Sequence, residues 1–128
     1  MHEVAMVFDK EGRAMRWSGG ESASLPDSSD LWNFLWENRE QVMGVAHSHP
    51  WDGPTRPSGT DLTTYTAIER GLGRKLVWPI ITMTHDQYFS ICDSNEDVYF
   101  EVFAPFHTEE WKNNIEELRR RSRGEEHG

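Results

Sequence analysis

Cysteine is nearly missing from this chain: Cys92 is the one thiol among 128 residues, so no internal disulfide can form. A lone cysteine fits a reducing compartment, and the expected location is the cytoplasm. Long apolar runs are missing as well, and none approaches the ~20 residues that a membrane-spanning helix needs. The start, Met1-His2-Glu3-Val4, has neither the basic head nor the apolar core of a signal peptide. A soluble protein without a membrane partner is expected. Basic charge is scarce: 13 Lys and Arg stand against 22 Asp and Glu, a net charge of −9. Nucleic-acid binders depend on Lys and Arg to neutralise phosphate, so this balance argues against that class of partner. Arg119, Arg120, Arg121 and Arg123 are surrounded by Glu109, Glu110, Glu116, Glu117, Glu125 and Glu126, and read as a solvated helix face.

What is present suffices for one ordinary domain spanning 1–128. Six Trp and six Phe supply large core side chains although hydrophobic content is only 36%. Residues 3–8 and 13–17 read as two strands around a turn at Asp9-Lys10-Glu11-Gly12. A polar loop from Gly19 leads to Ser28 or Ser29, either of which can cap a helix over 30–39 bearing Leu31, Phe34 and Leu35. Residues 42–49 form a buried strand, and 50–57 a loop stiffened by Pro50, Pro54 and Pro57. Leu62, Tyr65, Ile68 and Leu72 recur at helical spacing over 59–71, with Gly71 and Gly73 as terminators. Three strands follow at 76–84, 88–92 and 98–102, with turn composition at 84–87 and 93–96. Pro79 should break the first of them or confine it to a sheet edge. A terminal helix over 108–123 has Thr108 as cap and Trp111, Ile115 and Leu118 as its buried stripe; 124–128 is expected to be a disordered tail. The order β-β-α-β-α-β-β-β-α predicts an α/β fold, a mixed β-sheet with helices packed on its faces.

The chemistry concentrates between residues 47 and 61. His47 and His49, two apart on a strand, project from one face while Ser48 points away. Asp61 lies across the proline loop at a helix start, from which a carboxylate can return to the strand end. Two imidazoles and a carboxylate are enough to hold zinc with one coordination position open, the arrangement of a hydrolytic centre. The same residues have plainer readings. Ser58-Gly59-Thr60-Asp61 is also a capping box, and a His-x-His pair alone is a weak metal signal.

The string His47-Ser48-His49-Pro50, seven residues, Ser58, two residues, Asp61 resembles the signature of the JAMM (MPN-plus, JAB-domain) zinc metalloprotease family in every residue and spacing. The stand-alone bacterial and archaeal members are the nearest in kind. The resemblance implies a JAMM/MPN-like fold, Zn2+ held by His47, His49 and Asp61, and oxyanion support from Ser58. It further implies an upstream glutamate acting as general base; Glu3 fits that place better than Glu11 in the turn or Glu21 in the loop. Met6 stands three residues after Glu3, where many relatives have glycine. The implied activity is that of a zinc metallo-isopeptidase or metalloprotease, hydrolysing an amide next to the C-terminal glycine of a ubiquitin-like or sulfur-carrier protein. Two alternatives stay open: a non-catalytic MPN-type scaffold, and a zinc peptidase acting on cell-wall peptides in a phage-tail setting. Trp51 and Trp78 are candidates for substrate contact, Trp51 because it directly follows the ligand strand. His2, at a mobile terminus, and His85 and His107 are expected outside the ligand set, and Cys92 packed and inert.

Overall fold

The chain alternates strands and helices in the expected order: β1 (Val4–Asp9), β2 (Ala14–Gly19), α1 (Ser29–Glu37), β3 (Val42–Ser48), α2 (Gly59–Leu72), β4 (Trp78–Ile81), β5 (Asp86–Cys92), β6 (Asn95–Val102) and α3 (Glu109–Ser122). The structure is a computed structural model. It describes residues 2–19, 29–92 and 95–124, with the backbone alone for 95–97. The candidate cap Ser28, the alternative base Glu21, the turn pair Asp93-Ser94 and the tail 125–128 lie outside those residues.

One six-stranded sheet runs in the order β2-β1-β3-β4-β5-β6. Only β3 and β4 pair in parallel; every other neighbouring pair is antiparallel. The alternation of side chains along each strand divides the core in two. On one face Ala5, Val7, Val45, Ile80 and Phe89 pack with Leu31 and Leu35 of α1 and with Tyr65, Ile68 and Leu72 of α2. On the other, Met6, Phe8, Ala46, Ile81 and Tyr88 meet Trp111, Ile115 and Leu118 of α3. Each helix presents the stripe that its spacing dictated.

Ser58, Thr108 and Gly73 close the helix ends expected of them, Gly73 in the left-handed conformation, whereas Gly71 lies inside α2 rather than ending it and Ser29 lies within α1. Thr108 Oγ1 accepts the Trp111 N–H at 3.1 Å, and Ser58 and Asp61 form both halves of a capping box at the start of α2. Acidic residues open α3 and Arg119, Arg120 and Arg121 close it, in the sense that the helix dipole favours. These arginines pair within their own helix, with Glu116 at 2.6 Å and with Glu117 at 2.6 and 2.8 Å. The face is mixed in charge but less solvated than expected: the Arg119 and Glu117 side chains are only 12% and 14% exposed, and Arg119 Nε–H donates to the Thr82 carbonyl at 2.8 Å. Among the described residues no helix is long and apolar enough to cross a membrane.

Pro79 overturns an expectation. β4 lies inside the sheet between β3 and β5, not at an edge. Its parallel ladder registers at Gly44↔Val77 and again at His47↔Ile80. Pro79, which has no N–H to give, falls in the interval, and β5 pairs it opposite Tyr88. The strand tolerates proline because its bridges to β3 fall on either side of residue 79.

At Gly44 of β3 an added Cβ would collide with the carbonyl oxygen of Val77, just before β4, and with the Phe8 ring. Gly44→Ala should therefore lower stability by on the order of 1–3 kcal/mol through overpacking. Gly59→Ala, with nothing within 4 Å of its added Cβ, should hold or gain up to ~1 kcal/mol from the stiffer unfolded chain. Urea denaturation measures both, and equal midpoints for the two variants would refute the close approach.

Candidate metal centre

Topology brings the site together. β1 runs antiparallel to β3 with Ala5 opposite His47, so the start of β1, and Glu3 before it, lies beside the end of β3. α2 begins at that same end after the proline loop, with Asp61 in its first turn. His47 belongs to the face that α2 covers, whereas Ser48 turns to the opposite face and accepts the Val4 N–H at 2.9 Å. The anticipated division between the imidazoles and Ser48 is what the strand shows.

His47 Nε2 and His49 Nε2 stand 3.1 Å apart. Asp61 Oδ1 is 3.4 Å from the first and Asp61 Oδ2 is 3.3 Å from the second. Glu3 Oε1 completes the group at 3.8 Å from His49 Nε2. Glu3, His47 and His49 offer ligand atoms that all lie within 4.8 Å of one another and could hold a metal ion. His47, His49 and Asp61 are buried, at 1%, 4% and 6% exposure, so little water reaches them from the protein side.

The outer nitrogens of both imidazoles have partners, and these were not legible as site residues in the sequence. Thr55 Oγ1 lies 3.0 Å from His49 Nδ1 and points its own hydrogen at the Arg56 carbonyl, 3.4 Å away. In the tautomer that carries its hydrogen on Nδ1, His49 donates to Thr55 and turns the Nε2 lone pair to the cluster. Tyr65 Oη stands 3.4 Å from His47 Nδ1 and is an acceptor in the equivalent tautomer. In those tautomers two lone pairs stand 3.1 Å apart and a cation among them would relieve their repulsion, whereas protonated Nε2 atoms would donate to Asp61 instead. The donor set therefore suits a metal ion. A threonine in a proline loop and a tyrosine on a helical stripe carry no signal of this in one dimension.

The two carboxylates differ. Burial works against the charge on Asp61, but hydrogen bonds with His47 and His49, the His47 charge and the Ser58 N–H outweigh it and hold this carboxyl well below the usual range. Burial pushes Glu3 up; attraction to His47 and His49 opposes this, and repulsion from Asp61 adds to it. Ser58 N–H donates to Asp61 Oδ2 at 2.9 Å, and Asp61 N–H donates to Ser58 Oγ at 3.0 Å. The capping box is present, and the oxygen that closes it, Asp61 Oδ2, also lies 3.3 Å from His49 Nε2 while Oδ1 faces His47.

Trp78 is corrected by the structure. It is fully buried, stacked on Tyr65 at 4.1 Å, with its indole N–H donated to Glu69 Oε2 at 2.9 Å. It cannot line a groove, and it backs the tyrosine that faces His47. Trp51 is half exposed, its ring 4.6 Å from that of His49, at the open side of the cluster. His85 and His107 are exposed and away from it. His2 lies at the end of α3, where its N–H donates to the Ser122 carbonyl at 2.7 Å. Cys92 is only half-buried near the end of β5.

A family model described as prokaryotic homologs of the JAB domain matches residues 4–94, well over half of the chain. The protein belongs to that family. The match takes in His47, His49, Ser58 and Asp61, and begins one residue after Glu3. No curated protein matches the chain.

Thr55→Val keeps the shape of the side chain but removes the acceptor for His49 Nδ1–H. Loss of such a partner commonly weakens metal affinity ~10- to 100-fold. Competition against a chromophoric chelator measures this, and an unchanged affinity would mean that Thr55 does not orient the imidazole.

Proposed function

We propose that this chain is a zinc-dependent peptidase or isopeptidase in which His47, His49 and Asp61 hold the metal, Glu3 is the general base and Ser58 supports the oxyanion. One observation carries the reading: the spacing of the donor atoms. Bonds of about 2.0–2.1 Å place neighbouring ligands of a tetrahedral zinc ~3.3 Å apart. His47 Nε2 and His49 Nε2 stand 3.1 Å apart, with Asp61 Oδ1 3.4 Å from the first and Asp61 Oδ2 3.3 Å from the second, so each imidazole has a carboxylate oxygen at that spacing. Glu3 Oε1, 3.8 Å from His49 Nε2, belongs to the group that could hold the ion; its reading as base rather than ligand is supported by family likeness.

Bound there, zinc would supply Lewis acidity, acidifying a water and polarising the scissile carbonyl. The chain's own groups do the rest. Glu3 takes the proton of the attacking water and returns it to the departing amine. Ser58 Oγ already accepts the Asp61 N–H, so its own hydrogen is available to the carbonyl oxygen as that atom gains charge. Half-exposed Trp51 offers an apolar wall beside His49 for an extended chain. The proposed substrate is the C-terminal glycine tail of a ubiquitin-like or sulfur-carrier protein in amide linkage. Its support is family likeness.

Metal analysis of the purified protein, followed by cleavage of a sulfur-carrier protein fused through its C-terminal glycine to a reporter, tests the reading. Wild type should carry one zinc per chain and lose turnover to a chelator. Asp61→Asn should lose the metal, while Glu3→Gln should keep it and lose turnover. Glu3→Gln that sheds the metal would make Glu3 a ligand and overturn the assignment of the two carboxylates. A chain without metal or turnover would be a scaffold.

Ser58→Ala separates the roles within the capping box. It should retain zinc and lose ~10²–10³ in turnover, the usual cost of one oxyanion donor. Steady-state kinetics at full metal occupancy measures this; an undiminished rate would remove Ser58 from the chemistry.

A further inference from the structure

Glu3 precedes β1, where a side chain would ordinarily have little to fix it. Its backbone is nonetheless held on both sides. The peptide group before it is fixed through the His2 carbonyl, which accepts Ser122 Oγ–H at 2.5 Å and Ser48 Oγ–H at 3.3 Å. The peptide group after it is fixed through the Val4 N–H, which donates to Ser48 Oγ at 2.9 Å. One residue further back, the His2 N–H donates to the Ser122 carbonyl at 2.7 Å. Only φ and ψ lie between two successive peptide planes, so pinning both planes fixes the direction of the Glu3 Cα–Cβ bond. Gly19 closes the third side: a Cβ there would stand 2.7 Å from the Glu3 carbonyl oxygen, so only glycine allows β2 to lie this close. Ser48 and Ser122 are both fully buried. Neither hydroxyl faces solvent, and each is used toward residue 2 or 4.

We propose that the last turn of α3 is a positioning device for the base, with Ser122 and Ser48 as paired positioning residues that aim Glu3 at the His47–His49 cluster. This rests on the reading of Glu3 as general base. α3 lies beyond the residues that the family model matches, which end at 94. This positioning role gives the C-terminal helix a task beyond covering one face of the sheet. Anything that lifts its last turn also unfastens the glutamate. Ser122 touches neither ligand nor substrate and acts only through residue 2.

The test uses the full-length zinc-loaded protein and the Ser122→Ala variant, which deletes one hydroxyl and leaves the His2 N–H bond to the backbone. Turnover on the carrier-protein fusion should fall roughly tenfold to a hundredfold through misplacement of the base, with KM, zinc content and thermal midpoint unchanged. Added to Glu3→Gln, the same substitution should change nothing more. Asn114→Ala breaks a different α3 contact, the 3.0 Å bond to the Gly12 carbonyl, and should leave turnover intact. A readout independent of activity is the Glu3 side-chain carbon signal of the metal-free protein. It should sharpen to one conformer in wild type and average over several in Ser122→Ala and in Ser48→Ala. Loosened Glu3 signals in a chain that cleaves nothing would uphold the clamp while sinking the peptidase reading. A Glu3 signal and a turnover both indifferent to Ser122→Ala would overturn the clamp.

Discussion

The site depends on one carboxylate serving two elements at once. Asp61 closes the capping box that starts α2 and also presents its oxygens to both imidazoles at the end of β3. A capping carboxylate is fixed relative to its own helix, because it bonds to the backbone of Ser58. The helix in turn is fixed relative to the sheet by Tyr65, Ile68 and Leu72. The local rule for beginning a helix thus becomes the rule that places an anion beside two histidines. Removing the cap would move the anion, and removing the packing would move the cap.

Behind the imidazoles stands a second layer whose members look like ordinary core. Tyr65 faces His47, Trp78 stacks on Tyr65, and Glu69 holds the Trp78 indole. Glu69 is itself satisfied by the Leu76 N–H and the Lys75 ammonium, which makes a buried charge tolerable. On the His49 side, Thr55 is tied to β5 through Gln87 at 2.7 Å. The proline loop is held again by Met83 N–H to the Trp51 carbonyl and by Gly53 N–H to Thr84 Oγ1. Loop stiffness therefore comes from the β4–β5 turn as much as from prolines.

Much of this was legible beforehand, for identifiable reasons. Helices α2 and α3 announced themselves through apolar spacing and through Ser58 and Thr108 as caps, signals that act within a few residues of one another. The His47–His49 pair was readable because strand geometry alone puts alternate side chains on one face. Pro79 misled because the cost of proline in a sheet depends on which neighbour needs its N–H, and that is set by pairing to β3, more than thirty residues upstream. Trp78 misled for a kindred reason: exposure of an aromatic is decided by what folds over it.

The sequence alone determined the kinds of atom available for chemistry and the local geometry around each: imidazoles sharing a strand face, a hydroxyl and a carboxylate in a helix's first turn, an acid ahead of the first strand. Tertiary structure decided their distances, the partners of each ring nitrogen and which carboxylate stands nearer the histidines. It also decided that Ser122, at the far end of the chain, fastens the residue preceding Glu3. Bonding along the chain reaches only a few residues, whereas these arrangements depend on strand register and on helices docking across the sheet.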